Sequence, residues 1–183
     1  MRSHLCGEVS EVLEGQSVTL CGWIDRRRDL GGLIFMGLRD NAGIVQVVVE
    51  PESEAFADAE RLRNEYCVRI KGKVRLRPES QWNESMATGK VDVVADEVEL
   101  LNSSAPLPLM MTDDDGEEIR LRYRYLDLRR KRMQHNMRIR SKLNQAIHKH
   151  LDSHGFSEFE TPILTKATPE GARDYLVPSL SLI

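Results

Sequence analysis

The sequence predicts a mainly β domain of five short strands and one helix, followed by a helical segment. Three observations carry this. Five β-rich runs lie between residues 17 and 101, and the first and fourth alternate apolar and polar side chains with the period of a half-buried strand. A single stretch of helical spacing falls between the third and fourth runs, and beyond Pro106 an apolar repeat of four residues replaces the alternation. With 40% hydrophobic and 30% charged side chains in 183 residues, the chain can bury a core and is not a disordered or collagen-like polymer.

The elements follow in order. In residues 17–28, SVTLCGWIDRRR, Val18, Leu20, Gly22 and Ile24 share one side, which predicts strand one. Residues 33–39 and 44–49 are strands two and three, joined by Asp40-Asn41-Ala42-Gly43, whose Asn and Gly suit a tight hairpin. Residues 51–65, PESEAFADAERLRNE, open with a proline and acids and place Phe56, Ala59 and Leu62 at helical spacing. The fourth strand has Val68, Ile70, Gly72, Val74 and Leu76 on one side and Arg69, Lys71, Lys73, Arg75 and Arg77 on the other. After a polar loop at 78–89, residues 91–101 form strand five, and Asn-Ser-Ser-Ala-Pro at 102–106 breaks it. The order β-β-β-α-β-β is that of a five-stranded oligonucleotide-binding (OB-fold) barrel, which binds ligand on the face of strands two and three.

Past Pro106 an acidic loop, MTDDDGEE, leads into a predicted helix that runs to His154 and stops at Gly155. Ile139, Leu143, Ile147 and Leu151 make a narrow stripe that needs a surface to lean on. FSEFETPILT follows as a strand interrupted by Pro162.

The net charge of −3 hides an arrangement. Residues 1–105 hold 13 Lys and Arg against 18 Asp and Glu, whereas residues 119–142 hold ten basic side chains and one acid, Asp127. That run could be a solvated helix face, but a single acid leaves little i,i+4 neutralisation, which suits a phosphate backbone or an acidic partner subunit. The basic side of strand four suits phosphates or, equally, a solvated barrel exterior that blunts strand edges. Arg26-Arg27-Arg28 at the end of strand one and Phe35 in strand two suit a single-stranded ligand. Guanidinium groups neutralise phosphate, an exposed ring stacks on an unpaired base, and Gln46 offers an amide to a base edge. Phe35 taken alone is more often a core residue than a stacking platform.

Other classes are set aside. Cys6, Cys21 and Cys67 form no CxxC pair and leave an odd count, against a disulfide scaffold or a cysteine-rich metal site and in favour of a cytoplasmic location. His150 and His154 have zinc-helix spacing but lack the adjoining Glu, and Asp113-Asp114-Asp115-Gly116 places Arg122 where a calcium loop needs a bidentate acid, so no metal is expected. Neither a glycine-rich phosphate loop nor a nucleophile elbow occurs. No apolar run reaches the ~20 residues of a membrane span, and the N-terminus lacks a signal-like apolar stretch.

Four runs carry a resemblance: CGWIDRRRDLGGLIFMGLRDNAGIVQVVVE, MATGKVDV, RLRYRYLDLRR and GFSEFETPILTKATPEGARDYLVPS. Together they resemble the N-terminal third of bacterial-type aspartyl-tRNA synthetases, over residues 1–179. RYRYLDLRR is shared more loosely with the lysine and asparagine enzymes, whereas KATPEGARDYLVPS is more specific to the aspartate enzyme. The resemblance implies an anticodon-binding OB-fold domain at 1–105 and a hinge at 106–130. Residues 131–183 would be the helix-strand start of a class II synthetase α+β catalytic domain, with its first signature motif. Arg28, Phe35 and Gln46 match the positions that grip the anticodon, Phe35 by stacking and Gln46 by reading the middle uridine. Asn83 and Asp92 match a loop asparagine and a strand-five acid that is commonly Glu. Glu170 matches a residue that holds the ammonium group of aspartate, and Ile139, Leu143, Ile147 and Pro162 fall in the homodimer motif.

The implied activity is ATP- and Mg²⁺-dependent attachment of aspartate to tRNA(Asp), with no membrane partner. The second and third signature motifs, which supply the arginines on the α-phosphate and adenine, would follow residue 179, where this sequence reads Leu-Ser-Leu-Ile. No catalytic residue is therefore assigned, and these 183 residues are expected to bind tRNA without charging it. A stand-alone single-strand-binding barrel is the alternative. The segment 156–183, with Phe156, Phe159, Ile163 and Leu164, is expected to be poorly ordered or to drive self-association.

Overall fold

The computed structural model describes residues 1–109 and 115–164. It divides into two compact units, residues 1–110 and 111–183.

In the first unit, strands β1 (Ser17–Leu30), β2 (Leu33–Arg39), β3 (Ile44–Val49), β4 (Cys67–Leu76) and β5 (Val91–Asn102) close a barrel in the order β1-β2-β3-β5-β4. Neighbours are antiparallel except β3 and β5, which run parallel. The predicted apolar sides turn inward. Val18, Leu20, Ile24, Ile34, Met36, Leu38, Ile70 and Val93 are fully buried and form the core. At Gly31 and Gly32, φ is +65° and +89°, and Leu30 pairs with Leu33 across them. Two consecutive positive φ values are what a primed two-residue hairpin turn demands. Gly72 serves closure differently, because a Cβ there would lie 2.1 Å from the Val94 carbonyl oxygen at the register shift between β4 and β5.

The predicted helix over 51–65 shortens to α1 (Phe56–Glu60). Its neighbours are used otherwise: the Asn64 side chain accepts a hydrogen bond from the Arg27 backbone N–H at 3.1 Å, and Glu65 takes a left-handed φ of +66°. Ala59 and Leu62 still pack into the core, with Phe56 against it.

Strand four departs from its alternation at the end. Leu76 is 38% exposed while Arg77 is buried, so the last apolar and basic positions exchange sides. The remaining basic side meets acids on the neighbouring elements. Arg69 pairs with Glu99, Lys71 with Glu97 at 2.7 Å, and Arg75 with Glu50 at 3.1 Å. This is the solvated-exterior reading of that face.

In the second unit, one long predicted helix is three: α2 (Glu117–Arg122), α3 (Arg124–Asp127) and α4 (Lys131–Ser153). Breaks fall at Tyr123 and at Arg130, whose ψ of 144° is extended. They wrap arginines around a buried acid. Asp127 accepts from Arg120 Nε at 3.0 Å and from Arg124, and Arg130 Nε stands 3.1 Å from it. Burial disfavours its charge, but the Arg120 hydrogen bond and the Arg120, Arg124 and Arg130 charges together hold the carboxyl below its usual range. Arg130 also reaches Asp115. The single acid in the basic run is thus its local counter-ion.

Helix α4 ends at Ser153, and Gly155 beyond its cap has a φ of +82°. The predicted strand over 156–165 does not form among the described residues, where 156–164 carry no ladder. A strand needs a neighbour for its backbone N–H and C=O groups, and no strand is described in this unit to supply one.

Candidate nucleic-acid interface

The face of interest is created by an irregularity in β1. Register shifts between Ile24 and Arg26, so Ile24 stands opposite Leu38 in the core while Arg26 stands opposite Gly37 and Arg28 opposite Phe35. Without that extra residue, the side that buries Val18, Leu20 and Ile24 would carry Arg26 and Arg28 inward. The bulge turns them out instead. Arg27 goes to the other side, where its Nε donates to the Ala59 carbonyl at 3.4 Å. The three consecutive arginines therefore do not act as one cluster.

On β2, Ile34 and Met36 are fully buried, which sends the half-buried Phe35 to the barrel's exterior beside the exposed Arg28. Gly37 follows it on that face and pairs with Gln46 of β3, and Gln46 pairs with Asp92 of β5. The outer row therefore runs Arg26, Gly37, Gln46, Asp92, with Arg28 and Phe35 one step along the strands. Gly37 contributes no side chain, so the floor between the arginines and the amide is low. The strand ladder sets Arg28, Phe35, Gln46 and Asp92 on one surface.

Arg77 was missed. Its Nε donates to Asp92 Oδ1 at 2.7 Å and to the Val91 carbonyl at 3.1 Å, and Gln46 Nε2 donates to the same Asp92 oxygen at 3.0 Å. Arg77 Nη2 is buried without a hydrogen-bond partner among the described residues, a cost of about 1–3 kcal/mol that the Asp92 contact offsets. The signal available in the sequence is slight: Arg77 is where the alternation of strand four meets Pro78, and the period-two pattern places it on the exposed basic side.

Asn83 lies in the exposed loop after Arg77. Its side-chain oxygen accepts from Ser85 N at 3.1 Å and from Ser85 Oγ at 2.6 Å, so in this structure it shapes its own turn. The loop is tied down at both ends: Trp82 Nε1 donates to the Arg77 carbonyl at 3.1 Å, and Thr88 Oγ1 to the Ile44 carbonyl at 2.6 Å.

Charge on this surface is selective. Arg39 is neutralised by Asp25 at 2.6 Å and Glu65 at 2.8 Å, and Arg77 by Asp92, whereas Arg26 and Arg28 have no acidic partner among the described residues. They are the charges available to phosphate. The arrangement can stack a ring, neutralise a backbone and read a base edge. Burial, followed by the charge of Asp40, pushes the Cys6 thiol up, and burial with Cys21 nearby raises Cys67, which disfavours the thiolate at both. Among the described residues no cluster of His, Cys, Asp and Glu suits a metal ion, and no helix is long and apolar enough to cross a membrane.

In the second unit, Ile139, Leu143, Ile147 and Leu151 are all exposed along α4, and Phe156, Phe159, Pro162, Ile163 and Leu164 are exposed after it. Glu170 lies outside the described residues.

Comparison with known proteins agrees with this division. Residues 18–101 match the OB-fold nucleic acid binding domain of the tRNA anticodon type, and residues 116–182 match the class II tRNA synthetases (D, K and N). Among solved structures, the chain is similar to asparaginyl-tRNA synthetase from Pyrococcus horikoshii complexed with asparaginyl-adenylate, with 29% identity and a TM-score of 0.77 over 92% of this chain and 38% of that one. Aspartyl-tRNA synthetase from Entamoeba histolytica shares the fold at 20% identity, with a TM-score of 0.78 over 87% of this chain and 39% of that one. Asparaginyl-tRNA synthetase from the same organism shares it at 22% identity, with a TM-score of 0.70 over 89% and 39%. The chain thus spans under two fifths of the length of these three structures.

Proposed function

We propose, for a chain that by its two matched domains belongs to the class II tRNA synthetases of the D, K and N group, that the barrel grips the anticodon of tRNA(Asp) in a cytoplasmic aspartate–tRNA ligase. The observation that carries this reading is the outward cross-strand pair of Arg28 and Phe35 beside Gln46, on the strands where such a barrel takes its ligand. Three unstacked nucleotides would meet a ring, an amide and two unpaired guanidiniums there. Phe35 stacks on a base, Arg26 and Arg28 neutralise phosphates, and Gln46 reads the middle uridine.

Aspartate as the amino acid rests on the resemblance of residues 166–179, KATPEGARDYLVPS, with Glu170 holding the substrate's ammonium group. A homodimer is supported by the exposed stripe of Ile139, Leu143 and Ile147 on α4, which has the spacing of a helix that packs on a second copy, and by Pro162 and the apolar residues around it. ATP and Mg²⁺ belong to the reaction of the whole enzyme. None of the described residues forms a carboxylate cluster that would hold Mg²⁺, so no chemical step is assigned to them.

The test is fluorescence anisotropy of a labelled anticodon stem-loop bearing GUC against unrelated single-stranded oligonucleotides of equal length. A preference of tenfold or more for the stem-loop is expected. Equal affinities would replace this reading with a single-strand binder that ignores the anticodon.

A further inference from the structure

We infer that Arg77 and Asp92 fix the polarity of the Gln46 side-chain amide, so that the barrel presents a hydrogen-bond acceptor to the base it reads and thereby selects one with an N–H on its pairing edge. The inference deepens the anticodon reading above and rests on it.

The parallel register of β3 and β5 sets Gln46 beside Asp92, and Gln46 Nε2 donates to Asp92 Oδ1 at 3.0 Å. A carboxylate only accepts hydrogen bonds, so the amide must turn its NH₂ toward Asp92 and its Oε1 away from it. Turning the amide over would aim a carbonyl oxygen at a carboxylate oxygen and lose the hydrogen bond. An unrestrained glutamine has no such preference, since its O and N exchange by rotation about one bond.

Asp92 can impose this order only if it does not itself turn. Its side chain is 8% exposed, and Arg77 Nε holds the same oxygen at 2.7 Å. Arg77 is in turn held along its length. Its guanidinium donates to the Val91 carbonyl at 3.1 Å, its backbone N–H to the Lys90 carbonyl at 2.9 Å, and its own carbonyl receives Trp82 Nε1 at 3.1 Å. With its side chain only 5% exposed, Arg77 does not reach the ligand face and acts through Asp92. It is a positioning residue, placed two elements away from the base it helps select.

The consequence is chemical. Uracil offers N3–H to an acceptor, and guanine offers N1–H, whereas cytosine N3 and adenine N1 carry lone pairs that would face the Gln46 oxygen. A site whose polar group is held in one sense rejects the mismatched base by leaving buried groups unpaired.

The experiment uses the full chain and three labelled anticodon stem-loops that differ at the middle position: uridine, cytidine and 3-methyluridine, which lacks the N3 proton. The native chain should bind the uridine loop about tenfold or more tighter than either of the others. Asp92→Asn, whose amide can offer either an N–H or an oxygen to Gln46, should bring the uridine-to-cytidine ratio close to one. A merely structural role for Asp92 would lower affinity for every loop and leave that ratio in place. An unchanged ratio in Asp92→Asn overturns the polarity lock while leaving anticodon binding intact. Native affinity for 3-methyluridine equal to that for uridine does the same, and this arm decides the matter even where Asp92→Asn fails to fold by circular dichroism. Failure of the native chain to prefer any of these loops over an unrelated oligonucleotide overturns the anticodon reading itself, and the lock with it.

Discussion

Truncating Phe35 to alanine separates a ligand platform from a core residue. Its strand neighbours Ile34 and Met36 are fully buried, whereas Phe35 is half-buried on the outer face opposite Arg28. Removing a buried side chain such as Met36 costs about 2–5 kcal/mol of stability. A half-buried ring loses only part of the ~3–5 kcal/mol of a core phenylalanine, so Phe35→Ala should destabilise the barrel by about 1–2 kcal/mol. Loss of one base–aromatic stack is worth about 1–3 kcal/mol, or roughly a 5- to 150-fold rise in Kd. Phe35→Leu keeps most of the apolar area and loses the ring, so it should retain stability and still bind weakly. The assay pairs urea denaturation with anisotropy titration of the GUC stem-loop for Phe35→Ala, Phe35→Leu and Met36→Ala. The expected pattern is a large stability loss for Met36→Ala, and weakened binding with a small stability loss for both Phe35 variants. Native affinity in Phe35→Leu would refute the stacking role, and a stability loss in Phe35→Ala as large as that in Met36→Ala would refute its place on the surface.

Two further outcomes follow from the second unit. The carboxyl of Asp127 titrates below its ordinary value in the folded state, so the stability it contributes is fully present above about pH 4 and is lost as pH falls through the lower folded value. Asp127→Asn should lower the stability of this unit at neutral pH by about 2 kcal/mol, less than a wholly buried ion pair because Arg120 and Arg124 are partly solvated, and should flatten its acid dependence below pH 4; helix content by circular dichroism against urea at several pH values measures both. Ile147 is exposed on α4, so Ile147→Glu should leave helix content unchanged but weaken self-association roughly thirtyfold, the equivalent of about 2 kcal/mol for burying an unpaired polar group. Sedimentation equilibrium reads this directly, and native self-association in the variant would remove the stripe from the dimer interface.

Much of the barrel was legible because each strand's inward side repeats with period two. Residues 33–39 and 44–49 are strands with the bounds their β-rich composition predicted, and Val68, Ile70 and Val74 are buried as their alternate spacing required. Periodicity failed where a specific polar contact intervened. The helix over 51–65 shortened as Asn64 capped a β1 amide, and the long helix after residue 116 broke where Asp127 gathers its arginines. The interface divides the same way. Phe35, Gln46 and Arg28 could be named as residue types that suit single-stranded nucleic acid, but Arg77 looked like one more exposed base on a basic strand.

The amino-acid order by itself determined the five barrel strands, the apolar side of strands one and four up to Ile24 and Val74, and the turn between strands two and three, because those depend on neighbours within a few residues. Tertiary structure alone decided which of three consecutive arginines face the ligand surface, since a single bulge in β1 reverses the alternation after Ile24. It also decided that Gln46, Asp92 and Arg77, up to 46 positions apart, share one oxygen atom. Strand pairing across the closed barrel creates that contact, and no local pattern encodes which strand lies beside which.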